Sequence, residues 1–505
     1  MVHHGVSESN VKVGMGVRWQ NRSQYRHQKI QITLIALSLD LTGGGAAVFA
    51  LHMRGKLSLL VLFLTCGFAV GADERPNIVL ILSDDQSWTD YGFMGHEHIK
   101  TPHLDKLSER SAVFRRGYVP TALCRPSLMT LATGLYTHQH MVSGNDPSPL
   151  LTGGKTDGPE YNALRERLIS NVDRLPTIAR ILTEAGYLTH QSGKWWEGSY
   201  ERGGFTHGMT RGFPEPGGRH GDDGLKIGRE GMEPIYNFVD HALEEEKPFY
   251  LWYAPFLPHT PHNPPAELFK KYQGLVESDH VARYYAMCEW FDQTCGQLID
   301  FIDAKGLTEK TMFVYVCDNG WIQSEDSKKY APLSKQSPNE GGTRQPTMYS
   351  WPGMIKAGDR GTQLASSIDI VPTMLAAAGL GISGEMPGYN LMPILKSGKA
   401  SPRKEVLGEG FAHDIANVDR PEDSLLYRWV VKDQWKLLLT YDGAVNRYAW
   451  SHPRTETRPQ LYNLLEDPHE TNNLASENPE VVEKLATEIR MWWTVEDRKV
   501  LETWE

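Results

Sequence analysis

NIVLILSDDQ, residues 77–86, decides how this chain is read. Its first part, residues 77–82, is an unbroken apolar run of strand length. The lack of alternation marks a strand buried on both faces, as in parallel sheets covered by helices. Residues 249–253 form a second such run, followed by Pro258-His259-Thr260-Pro261-His262. Residues 312–316 form a third, followed by Cys317-Asp318-Asn319-Gly320. Helical periodicity at residues 104–114, 175–185 and 284–302 supplies the crossovers. The expectation is an α/β fold with a mostly parallel central sheet. Each strand brings its polar cluster to a carboxyl end, where open parallel sheets place ligand sites.

After about Gly398 the pattern changes. Residues 427–431 and 435–440 flank Lys432-Asp433-Gln434 as a hairpin, and residues 479–493 carry helical periodicity. The sequence predicts a main domain over residues 73–398 and a smaller α+β domain with an antiparallel sheet over residues 399–505. The Gly/Pro-rich segment 203–224 reads as a long surface loop near the site mouth.

With 505 residues, 40% hydrophobic and 23% charged, the composition is globular. A net charge of −10 argues against nucleic acid or an anionic membrane as the main partner. Near the start, Met53-Arg54-Gly55-Lys56, an apolar run at residues 57–70 and the small residues Val70-Gly71-Ala72 read as a signal peptide over residues 53–72, cleaved before Asp73. That run is short for a bilayer span. Met53 is then the expected start, with residues 1–52 either mis-assigned upstream sequence or a genuine N-terminal extension, and the mature protein is expected to be exported, periplasmic or extracellular. The cysteines, Cys66, Cys124, Cys288, Cys295 and Cys317, suggest no disulfide framework and no zinc site.

Taken alone, Asp84 and Asp85 would cap the next helix. A second cluster, Asp318-Asn319, at the same place on another strand changes that reading. Three carboxylates and an amide are hard oxygen ligands suited to calcium, with magnesium as the alternative. Cys124-Arg125-Pro126-Ser127 opens a helical pattern closing at Gly134, which puts the Cys124 thiol in the positive end of a helix field.

These motifs form an ordered set. Asp84-Asp85, Cys124-x-Pro126-Ser127 with Thr133-Gly134, Gly193-Lys194-Trp195, Pro258-His259-Thr260-Pro261, Asp318-Asn319-Gly320, Lys335 and Glu340-Gly341-Gly342-x-Arg344-x-Pro346 together resemble the type I sulfatase family. Leu461-Tyr462-Asn463-Leu464 and Asp467-Pro468-x-Glu470-x-x-Asn473-Leu474 resemble its C-terminal end. The resemblance spans the mature chain and implies an alkaline-phosphatase-like three-layer α/β sandwich that hydrolyses a sulfate ester to alcohol and sulfate. It implies that Cys124 is oxidised to formylglycine by a formylglycine-generating enzyme, and that the aldehyde hydrate attacks sulfur. Asp84, Asp85, Asp318 and Asn319 would hold calcium together with the modified Cys124. Lys194 and Lys335 would face the sulfate, and His259 would protonate the leaving oxygen. His262 would line the pocket.

The chain departs from the family pattern twice. Leu128 stands where CxPSR has arginine, and Trp196-Glu197 stands where GKWH has histidine. The first departure bears on recognition by the modifying enzyme; Arg125 is a distant substitute for the missing charge. An active sulfatase of a divergent subgroup is therefore weighed against a non-catalytic protein that binds anionic saccharides, and against a phosphate or phosphonate ester hydrolase. Trp88, Trp195, Trp196, His138 and His140 lie near site segments and suit sugar rings or core packing equally; an exported sulfatase without an evident membrane span makes a sulfated polysaccharide or its oligosaccharides the expected substrate.

Overall fold

The computed structural model describes residues 34–37, 48–51, 62–63, 75–448, 450, 458–496, 498 and 500. The chain divides into two compact units, residues 1–69 and 70–505. The first contains a three-stranded antiparallel sheet of Leu34–Leu37, Val48–Leu51 and Leu62–Phe63. Apart from these strands, the expected upstream extension and signal peptide lie outside the described residues. Everything below concerns the second unit.

Strand β1 (Asn77–Ser83) lies within an eight-stranded sheet of order β8-β2-β7-β6-β1-β5-β3-β4. The other strands are β2 (Ala112–Phe114), β3 (Leu188–Gly193), β4 (His207–Gly208), β5 (Phe249–Ala254), β6 (Thr311–Cys317), β7 (Thr347–Ser350) and β8 (Gly358–Asp359). β1 pairs in parallel with both β5 and β6, and β5 with β3; β7 runs antiparallel to β6 and β2.

The unbroken apolar runs have the expected cause, because both faces of the sheet are buried. Ile78, Leu80 and Leu82 join Tyr250, Trp252, Met312 and Val314 in one core, beneath Leu128, Met129 and Leu131 of the Cys124–Thr133 helix. The alternate residues Val79, Ile81, Leu251, Tyr253, Phe313 and Tyr315 join a second core against Met287, Phe291 and Leu298 of the Asp279–Ala304 helix. The architecture is a three-layer α/β sandwich of the alkaline-phosphatase type, and among the described residues no helix is long and apolar enough to cross a membrane. One boundary differs from the sequence reading. The helix expected at 104–114 is Pro102–Glu109, and Ala112–Phe114 leaves it to become β2. Sheet pairing with β7 and β8 overrides the continuing apolar pattern there.

A separate antiparallel sheet follows, with order β9-β10-β11-β12 for Glu405–Phe411, Leu425–Lys432, Trp435–Thr440 and Gln460–Asn463. Leu485, Ala486 and Ile489 of the Pro479–Trp492 helix pack on its Val430, Leu437 and Leu439. Buried Lys436 on β11 donates to Glu340 Oε1 at 3.0 Å and lies 3.3 Å from Glu470 Oε1. The Glu340 and Glu470 motifs, far apart in sequence, are thus the joint between the two sheets and lie away from the cavity.

Candidate active site

The carboxyl ends of β1, β3, β5 and β6 are laced together by backbone hydrogen bonds. Asp84 N–H donates to Leu257 O at 3.0 Å, Asp318 N–H to Ser83 O at 3.0 Å and Lys194 N–H to Ala254 O at 2.7 Å. Gly193 enters this lattice at φ +90°, where a Cβ would lie 1.8 Å from Ala254 O; only glycine fits. Asp85 takes φ +65°, an uncommon conformation for a residue with a side chain. It is held there by its N–H bond to Asp318 Oδ1 at 3.1 Å and by its side-chain partners. The strain turns both adjacent carboxylates inward.

Into this pocket project all eight residues singled out in the sequence. Lys194 Nζ donates to Asp84 Oδ1 at 2.7 Å, and Lys335 Nζ to Asp85 Oδ1 at 2.6 Å, Asp85 Oδ2 at 2.7 Å and Cys124 Sγ at 3.1 Å. Asn319 Nδ2 donates to Asp85 Oδ1 at 2.7 Å. His259 Nε2 lies 3.3 Å from Asp85 Oδ2, while its Nδ1 faces Thr260 O at 2.6 Å and its ring stacks on Phe256. Cys124 is the first residue of its helix and 1% exposed.

The donor set suits a divalent cation. Asp84 Oδ2, Asp318 Oδ2 and Asn319 Oδ1 are buried and have no hydrogen-bond partner. Ligand atoms of Asp84, Asp85, Cys124 and His259 lie within 4.8 Å of one another. Buried oxygens without partners cost free energy unless something positive meets them. Burial pushes the carboxyls of Asp84 and Asp318 above their ordinary range, with Lys194 pulling the other way. Burial also opposes the charge on both lysines, but the carboxylates, Asp84 beside Lys194 and Asp85 beside Lys335, hold them fully protonated. Oxygen ligands of this kind fit calcium or magnesium.

At Cys124 burial outweighs the helix field and the two lysines, and the thiol is pushed up to about 12. An unmodified thiol here is a poor nucleophile. Burial, then Lys194 and Lys335, hold the His259 imidazole well below its ordinary range, which favours its neutral form.

Above the site opens a cavity of about 780 Å³. Trp196, Arg219, His220, His262, Trp321 and Tyr330 line it with Cys124, Lys194, His259 and Lys335. His220 comes from the Gly/Pro-rich loop, packed against Trp196 at 5.1 Å and Phe256 at 5.4 Å. His262 stands beside Tyr284 and Trp321. Of Trp88, Trp195, Trp196, His138 and His140, the five residues expected to suit a sugar ring, only Trp196 reaches the cavity. Trp195 is core against Trp252, Trp88 lies under Arg344, His138 pairs with Glu409, and His140 is buried beside Thr130. Trp321 was overlooked although it follows Asp318-Asn319-Gly320 directly. Tyr330 and the basic residues around it had no motif to mark them.

Arg125 does not substitute for the missing arginine. It forms a bidentate pair with Glu197, both bonds 2.7 Å, and both residues are buried. Leu128 faces the apolar layer over the sheet.

Comparison with known proteins identifies the family. The Sulfatase family model matches residues 76–380, and the model for the C-terminal region of N-sulphoglucosamine sulphohydrolase matches residues 333–493. Human arylsulfatase A is 28% identical over 84% of this chain and 89% of its own length. Human N-acetylgalactosamine-6-sulfatase is 27% identical over 66% of this chain and 68% of its own. The crystal structure of Ps i-CgsB in complex with k-i-k-neocarrahexaose shares the fold, with a TM-score of 0.64 at 24% identity over 83% of this chain and 92% of that one. With a family model matching more than half its length, this chain belongs to the sulfatase family and is a sulfuric ester hydrolase.

Proposed function

We propose that this protein is an exported enzyme that removes sulfate from a sulfated saccharide, using a divalent cation, calcium first, and a formylglycine made from Cys124 by a formylglycine-generating enzyme. One observation carries the reading: three orphaned buried oxygens, two lysines and Cys124 meet beneath a single cavity. Asp84, Asp85, Asp318 and Asn319 would hold the cation, which would draw charge from the sulfuryl oxygens. The aldehyde hydrate at position 124 would supply the attacking oxygen that a thiol held near 12 cannot.

The remaining steps belong to the chain's own side chains. Lys194 and Lys335, fixed by Asp84 and Asp85, orient the sulfate and stabilise charge gathering on its oxygens. His259 is neutral before substrate arrives. The sulfate's negative charge raises its affinity for a proton, which Nε2 then delivers to the leaving alcohol oxygen. Phe256 and the Nδ1 contact with Thr260 O keep the ring facing the site. The carbohydrate names of relatives, an N-acetylgalactosamine-6-sulfatase and a neighbour bound to a neocarrahexaose, support a saccharide.

The test is sulfate release from a panel of sulfated sugars, with matched phosphate esters, before and after chelation. Activity should vanish with chelation and return with calcium. Asp318→Ala should lose both turnover and bound metal; equal metal content in variant and parent contradicts the cation assignment.

A further inference from the structure

The cavity wall carries an unbalanced charge. Lys194, Arg219, Arg283, Lys328, Lys329 and Lys335 line it above the Asp84, Asp85 and Asp318 floor, and among the described residues no aspartate or glutamate lines its wall, although the chain as a whole is acidic. Three of these cations are already matched. Lys194 pairs with Asp84, Lys335 with Asp85 and Arg219 with Asp146. Arg283, Lys328 and Lys329 have no carboxylate partner among the described residues. They come from two unrelated elements, Arg283 from the Asp279–Ala304 helix and the lysines from the loop after β6, yet reach the same opening.

Their surroundings suit a carbohydrate. From Lys335 outward, Trp321, Tyr330 and Trp450 follow in series, with ring centroids 5.0 Å and 4.7 Å apart. Lys335 stands over the first ring and Lys329 over the last. Aromatic faces accept the apolar faces of sugar rings, and Lys329 stands at the outer end of this row. A cavity of about 780 Å³ holds more than a monosaccharide sulfate requires.

We propose that the substrate carries a second anionic group, a sulfate or a uronate carboxylate, on the sugar lying along Trp321 and Tyr330, and that Arg283, Lys328 and Lys329 hold it. This rests on the sulfated-saccharide reading above and names the class of sugar within it: a saccharide with at least two negative charges.

Matched disaccharides test it. One carries only the scissile sulfate, a second adds another sulfate, and a third adds a uronate carboxylate. The parent enzyme should prefer the better doubly charged sugar by about tenfold in kcat/KM, since exposed ion pairs each add modestly, and the preference should shrink with added salt. Which of the two wins identifies the second group. Arg283→Ala with Lys328→Gln and Lys329→Gln should abolish the preference. Because Arg283 also stacks on Phe269 at 4.0 Å, the Lys328→Gln/Lys329→Gln pair is read separately and should reduce the preference by itself. Equal kcat/KM for all three sugars, or a preference that survives the triple substitution, overturns the proposal while leaving the sulfatase reading intact. Absence of turnover on every sugar and on 4-nitrophenyl sulfate would instead count against the sulfatase reading. Calorimetric titration of Cys124→Ala protein with the same sugars then still decides the second-anion site: about tenfold tighter binding of a doubly charged sugar supports it, and equal affinities refute it.

Discussion

His259 shows how much of the site depends on charges outside the side chain itself. Its Nε2 lies 3.3 Å from Asp85 Oδ2, but burial and two lysines strip its proton in the absence of substrate. A proton donor of this kind matters most when the departing alcohol is a poor leaving group. His259→Ala should slow sugar sulfates by about 10²–10⁴-fold and 4-nitrophenyl sulfate far less, because the nitrophenolate needs little protonation. Equal losses on both, measured as kcat, would reassign His259 to sulfate binding or support. At this scale the sequence was highly legible. Asp84, Asp85, Cys124, Lys194, His259, Asp318 and Asn319 sit beside strand ends or within short motifs, and local order announces them; Lys335, a lone lysine in a loop, was picked out only by the family resemblance. Arg283, Lys328 and Lys329 were not legible, since a cation on a helix or loop looks like any solvated charge until the fold brings it to a rim.

The helix that presents Cys124 is tied to the segment of the second departure from the family pattern. Arg125 and Glu197 form a buried bidentate pair between the helix start and the loop after β3, and Arg125 lies over Trp196. The residue after the cysteine and the residue after Lys194-Trp195-Trp196 are therefore coupled, which no reading along the chain reveals. Breaking a buried pair on one side leaves an uncompensated charge. Glu197→Ala should destabilise the protein by about 3–5 kcal/mol, and Arg125→Met with Glu197→Leu should recover most of that loss. Chemical denaturation of the single and double variants reads the difference; a double variant as unstable as the single one would show that the pair is not the cause. Gly134 closes the same helix at φ +69°, as its place in the sequence suggested. The end of the Pro102–Glu109 helix was misplaced because Ala112–Phe114 is apolar in either role, and only its pairing with β7 and β8 decides.

The central sheet carries an apolar core on each face, and the protein buries titratable groups that the chemistry does not use. His190 on β3 packs against Phe238 at 4.8 Å, and burial lowers its pKa to about 3 from 6.5. The folded state therefore keeps His190 neutral between those values while the unfolded chain takes up the proton. Stability from this group is fully present above pH 6.5 and is lost as pH falls toward 3, at about 1.4 kcal/mol per pH unit. His190→Leu should make the stability lost between pH 7 and 5 about 2 kcal/mol smaller than in the parent. An unchanged pH slope in denaturant titrations would remove His190 from the acid sensitivity. The buried, mostly parallel character of the central strands was legible from three apolar runs, but the joint made by Lys436, Glu340 and Glu470 was not, because its members lie far apart in the sequence and only the fold brings them together. The account of function finally stands on the chemical state of one side chain. Mass analysis of the Cys124 peptide from active protein made in its native host should show conversion of the thiol to the aldehyde, in proportion to the rate of sulfate release. Undiminished sulfate release from protein whose Cys124 is entirely unmodified would contradict it.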